Sequence, residues 1–170
     1  LLPGLKQPPR PFVVGHPGAK YTQLPVRDAT ASGDIKRSNK FPNCSYFLNW
    51  TKTEDTISWN VDVASSGIYD VEIYYACPKK DVGSTIELSF ENSNPRVPGA
   101  SAVRGQILEA HDPPLRGARE DRVQRKESYV KTFKPLKLGP LELTKGTGQL
   151  VLKALKVPGE QVMEVRLIMF

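Results

Sequence analysis

One feature limits this 170-residue chain more than any other: apolar and polar side chains alternate residue by residue over long stretches. Ile57, Trp59, Val61 and Val63 alternate with Ser58, Asn60 and Asp62. After Ala64-Ser65-Ser66-Gly67 the pattern resumes with Tyr69, Val71, Ile73, Tyr75 and Cys77. Successive side chains of a strand point to opposite faces, so each run marks a strand with one dry and one wet side. With only a short turn between them, the two runs look like one hairpin. Ile86, Leu88 and Phe90 continue the theme, as do Leu150, Leu152 and Ala154, and then Met163, Val165, Leu167 and Met169. Gly146 to Gly148 reads as a second hairpin turn. A helical period is missing, although Arg116 to Glu127 suits a short solvent-facing turn or helix. Many short alternating strands separated by Gly, Pro and Asn predict an all-β fold, an antiparallel β-sandwich.

The flanks of this pattern divide the chain. Residues 1–20, with Pro3, Pro8, Pro9 and Pro11, read as a proline-rich linker from a longer polypeptide, stiff and extended. Residues 21–170 read as one sandwich domain. Inside it, residues 91–126 are polar, contain Pro95, Pro98, Pro113 and Pro114, and show no strand pattern. A loop that long in a compact domain is functional, a cover over the sheet, or mobile. No apolar run is long enough to span a bilayer, so no membrane partner is expected. The chain carries a formal charge of +6, and its lysines and arginines are spread along it with modest clusters at 35–40 and 119–126. Glu120, Asp121 and Glu127 interleave the second cluster, which describes a solvated mixed-charge surface rather than a nucleic-acid stripe.

Reactive chemistry is poorly served. A nucleophilic cysteine needs a neighbouring base and a depressed pKa. The arrangement Cys77 with His111 and Asp112 is the one constellation for a Cys/His hydrolase, but Cys77 continues the apolar face of its strand, where a small buried hydrophobe or half-cystine belongs. Cys44 and Cys77 form an even pair that export would allow to bridge. Zinc-type Cys or His pairs are missing, no carboxylate pair sits in an apolar setting, and no glycine-rich loop leads into a helix. No cofactor and no metal is expected.

The order "DTISWNVDVASSGIYDVEIYYAC", "GSTIELSF", "SYVKTFKPLKLGPLELTKGTGQLVLKA" and "QVMEVRLIMF" resembles the family-6 carbohydrate-binding modules, which are galactose-binding-like jelly rolls. More narrowly, "SGDIKRSNKFPNCSYFLNW" and "EDRVQRKESYVKTFKPLKLG" are similar to the C-terminal accessory domain of bacterial secreted sulfatases, of the N-acetylgalactosamine-6-sulfatase or arylsulfatase type. The resemblance implies a secreted or periplasmic, non-catalytic module, with a glycan and the missing catalytic domain as partners. A sulfatase centre needs Cys/Ser-x-Pro-x-Arg, which Cys77-Pro78-Lys79-Lys80 does not supply. In the resembled modules aromatic rings stack on sugars. By that pattern Tyr46, Asn49, Trp50 and Tyr129 are candidate sugar contacts, and Arg37 and Lys131 candidate partners of a sulfate or carboxylate. Core packing of the same aromatic residues, in a purely structural domain, is the rival expectation. The modules' structural calcium uses a first-strand glutamate; here Arg27 stands in its place and is expected to repel the cation and to pair with Glu164.

Overall fold

The computed structural model describes residues 10–97 and 100–170. The strands are β1 (Phe12–Val14), β2 (Gln23–Pro25), β3 (Thr30–Ala31), β4 (Lys36–Arg37), β5 (Phe47–Leu48), β6 (Thr56–Val63), β7 (Gly67–Ala76), β8 (Thr85–Asn92), β9 (Ser101–Gln106), β10 (Lys134–Leu143), β11 (Gly146–Lys156) and β12 (Glu164–Met169). They form two six-stranded sheets. Sheet A runs β1-β6-β11-β8-β9 with β3 also on β6, and sheet B runs β10-β7-β12-β5-β4 with β2 also on β12. All pairings are antiparallel except β1 on β6, which is parallel.

The core lies between the sheets and is built from the dry phase of each strand. Ile57, Trp59, Val61 and Val63 of β6 are buried against Val71, Ile73 and Tyr75 of β7, with Leu88, Phe90, Leu150 and Leu152 in the same cluster. Two polar atoms carried inward find partners: the Trp59 indole N–H donates to the Pro25 carbonyl at 3.3 Å, and the Tyr75 hydroxyl to the Glu109 carbonyl at 2.9 Å.

Several expectations change. Both expected hairpins are crossovers. β6 and β7 lie in different sheets, so residues 64–66 carry the chain across the sandwich; β10 and β11 do the same through Thr144 and Lys145. The sequence alternation is equally consistent with either pairing, because both strands bury one face whichever sheet they join. The β8–β9 pair is a genuine hairpin, and β9 lies inside the segment expected to lack strands. Its weak signal has a cause: β9 is an edge strand, with residues alternating between half-buried and exposed rather than between buried and exposed.

Within residues 1–20, expected to form a linker throughout, β1 pairs with β6 and adds Val14 to the core. The proline-rich residues 1–9 lie outside the described residues. In β12 the register shifts between Val165 and Leu167. Such a bulge inserts a residue and reverses the phase. Val165 and Ile168 therefore point inward, while Leu167 and Met169, expected on the buried side, do not. No helix forms at residues 116–127; turns replace it.

Candidate functional site

The β4–β5 hairpin meets the long loop 112–130 at the edge of sheet B. Arg116 N–H donates to the Val130 carbonyl at 2.8 Å and closes the loop on itself. The Ser38 and Ser128 hydroxyls lie 2.9 Å apart, and the Asn39 amide donates to the Lys126 carbonyl at 2.8 Å. A cleft of about 220 Å³ remains between the two, lined among others by Tyr46, Gln124, Arg125 and Tyr129. Two of the predicted sugar contacts, Tyr46 and Tyr129, are thus brought together. Neither ring lies open. Tyr46 is 7% exposed and packs edge-on against Phe133 at 5.3 Å. The Arg125 guanidinium sits 5.4 Å from the centre of the Tyr129 ring and donates to Asp121 at 2.5 Å.

The other predicted contacts are engaged inside the protein. Trp50 is a core residue, 1% exposed, its carbonyl accepting from Val162 N–H at 2.7 Å; no sugar reaches its ring. Asn49 has a left-handed backbone (φ 61°), and its amide donates to the Asp34 carbonyl at 2.7 Å. Arg37 donates to the Arg27 carbonyl. Lys131, with 9% of its side chain exposed, reaches Glu164 at 2.7 Å and Asp112 at 3.2 Å. Burial lowers its pKa, but the two carboxylates outweigh burial and hold it above the usual lysine value. A lysine so neutralised is a cross-link between β12 and the loop rather than a sulfate receptor. Arg27 bonds to Asp28 at 3.2 Å, so the expected Arg27–Glu164 pair is replaced by Lys131–Glu164.

Cys77 and His111 are neighbours, but only through their backbones, which exchange hydrogen bonds of 2.8 and 2.9 Å. The His111 ring turns to the Thr132 carbonyl at 2.8 Å, and Asp112 turns to Lys131. The Cys77 thiol is fully buried, and burial, assisted by Asp81 and Asp112, pushes its pKa up to about 11. A nucleophile needs the opposite shift. Cys44 and Cys77, which the sequence leaves open to bridging, are separate free thiols.

A larger concavity lies elsewhere, on the outer face of sheet B. It is a groove of about 680 Å³ bounded by Lys20, Tyr21, Tyr69 and Phe170 and floored by Glu72 and Tyr74 of β7, with Lys137 of β10. The strand register builds the floor. Tyr74 stands between Pro135 of β10 and Leu167 of β12, and Glu72 between Lys137 and Met169. Tyr21 is 61% and Ile68 76% exposed. Among the described residues, no side chain hydrogen-bonds or ion-pairs with Asp70, Glu72, Tyr74 or Lys137. The sequence held a signal for this face that alternation alone passes over. The wet phase of β7 reads Ile68, Asp70, Glu72 and Tyr74, so half of it consists of large apolar or aromatic side chains.

Comparison with known proteins places this architecture. No protein-family model and no curated sequence matches the chain. Solved structures do. A family 35 carbohydrate-binding module from Clostridium thermocellum is 17% identical, with a TM-score of 0.56 over 89% of this chain and 98% of that one. A carbohydrate-binding module from Cellvibrio mixtus lichenase 5A, in complex with cellotriose, is 15% identical, with a TM-score of 0.52 over 87% and 94%. A Bacillus thuringiensis Cry1Da tryptic core variant is 12% identical with a TM-score of 0.54, covering 88% of this chain and 23% of that one. The chain likewise spans only 23% of an Arthrobacter globiformis isomalto-dextranase and 27% of a Podospora anserina mannanase. At these identities the likeness establishes the fold: a two-sheet β-sandwich of the kind found in carbohydrate-binding modules and within a Bacillus thuringiensis Cry1Da core.

Proposed function

We propose that this chain is a non-catalytic carbohydrate-binding module that holds a glycan in the groove on the outer face of sheet B. One observation carries the reading. Tyr21 and Tyr74 share a groove with the carboxylates of Asp70 and Glu72 and the ammonium of Lys137, none of which is engaged by a side chain among the described residues. Rings that stack on pyranose faces, beside polar groups free to meet hydroxyls, are what sugar recognition requires. From Ile68 to Tyr74 the strand extends about 20 Å, at roughly 3.3 Å per residue, which suits a chain of several sugar units better than a monosaccharide. The module is best understood as part of a larger secreted hydrolase, of the sulfatase type that its loop sequences resemble, keeping substrate near that enzyme. The Tyr46–Tyr129 cleft supports a second reading, in which a sugar edge enters there after Arg125 swings aside.

Affinity electrophoresis in native gels containing β-glucan, xylan, mannan or dextran tests the proposal. At least one polysaccharide is expected to retard the wild-type protein, and Tyr74→Ala to abolish that retardation. Retardation lost in Tyr129→Ala instead moves the site to the loop cleft. No retardation by any glycan leaves a structural domain.

A further inference from the structure

The charge of the chain is gathered by the fold in a way that the sequence conceals. Residues 36–48 and 116–130 lie far apart in the chain, but Ser38–Ser128, Asn39–Lys126 and Asn43–Glu127 contacts join them along one edge of sheet B. These two segments hold eight basic residues against three acidic ones, a net charge of +5 where the whole chain carries +6. The remainder is nearly neutral. Lys36, Arg37, Lys40, Arg116, Arg119 and Arg122 are all exposed. Of the three acids, Asp121 is bound by Arg125, whereas no ion pair within the protein engages Arg116, Arg119 or Arg122 among the described residues.

We propose that this edge is a second binding surface, specific for an anionic polysaccharide bearing sulfate or uronate groups. Concentrated, unpaired positive charge on one edge attracts a polyanion and releases its counterions. Guanidinium groups add the planar, two-pronged geometry that sulfate and carboxylate oxygens accept. The same surface is poorly made for nucleic acid, which single-strand binders hold by stacking bases on open aromatic rings. Here the Tyr129 ring already carries Arg125 and Tyr46 is buried. The groove is lined from β7, β10 and the end of β12, whereas this surface is built from residues 36–48 and 116–130, and the two share no residue, so it stands independently of the glycan reading of that groove.

The test uses dextran sulfate and unsulfated dextran in parallel native gels, with three proteins. Dextran sulfate is expected to retard the wild type well beyond any effect of dextran, with the retardation fading as salt rises. The triple variant R116Q/R119Q/R122Q is expected to weaken dextran sulfate binding roughly tenfold or more. The variant K79Q/K145Q/K156Q removes the same charge from exposed positions elsewhere and is expected to stay within about twofold of wild type. Equal weakening in both triples means that only net charge matters and overturns the proposal. So does a wild-type protein that dextran sulfate fails to retard, or one that duplex DNA retards as strongly. Tyr74→Ala separates the two readings: it removes binding of neutral glycan and leaves dextran sulfate retardation intact.

Discussion

The outer faces of the two sheets are built from the same alternation and have opposite characters. On sheet A, cross-strand neighbours satisfy each other. Glu87 of β8, with 8% of its side chain exposed, is held by Arg104 of β9 at 2.6 Å and Lys153 of β11 at 3.0 Å. Gln149 donates to Asn60 at 3.5 Å, and the Asn92 amide serves Thr144 and Lys145. On sheet B, Tyr74 and Glu72 stand among proline, leucine, methionine and a lysine that does not reach them. A face whose polar groups pair across strands gains stability and presents little to a ligand. A face whose rings and charges are left unmatched gains no such stability and keeps its groups for something else. Unmatched rings and charges are therefore a better guide to function than exposed polarity.

The largest expected effect removes the ring from the unmatched face. Tyr74→Ala should lower glycan affinity about tenfold or more, near 1.4 kcal/mol, with little change in melting temperature. An equal loss of stability would show that Tyr74 packs like a core residue and would erase the contrast. Next, Glu87→Ala on sheet A should cost about 1–2 kcal/mol in urea unfolding by leaving two cations without their carboxylate, while glycan retardation is unchanged.

Acid unfolding sharpens the same contrast. Hydrogen bonds from Arg104 and Lys153 hold the Glu87 pKa below the usual glutamate value. A group with a depressed folded pKa contributes stability above its unfolded value, near 4.5, and loses that contribution as pH falls through the folded one. The Glu87→Gln variant should therefore show a flatter decline of stability below about pH 4.5 than wild type. Equal slopes would mean that the ion pairs of sheet A contribute nothing. The smallest effect is expected from Ile68→Ser at the rim of the groove, within about 0.5 kcal/mol of wild type, since its side chain is already in water. Thiol titration gives a separate check on the interior: one thiol, Cys44, should react in the native protein, and Cys77 only after denaturation.

What could be read from the chain and what could not follows from the range of the forces involved. The buried phases of β6 and β7, from Ile57 to Val63 and from Val71 to Cys77, were legible because burial of every second side chain is imposed locally by strand geometry. The all-β sandwich was legible for the same reason. The partner of each strand was not, because a short turn serves a hairpin and a crossover alike, and β6 and β7 separate across the core. Trp50 looked like a sugar platform because its type fits one; its depth of 1% exposure depends on the Val162 backbone, far away in sequence. The β12 bulge, which turns Leu167 to the groove side, depends on the pairing with β7.

The amino-acid order by itself determined that the chain forms many one-sided strands and that Cys77 lies on a dry face. Only the tertiary structure decided which outward residues remain unpaired: the ring of Tyr74 and the arginines at 116, 119 and 122 on one side of that division, Glu87 and Lys131 on the other. The physical reason is that pairing of charges and rings acts over a few ångströms in space, and neighbours at that distance are brought together by the fold from positions tens of residues apart.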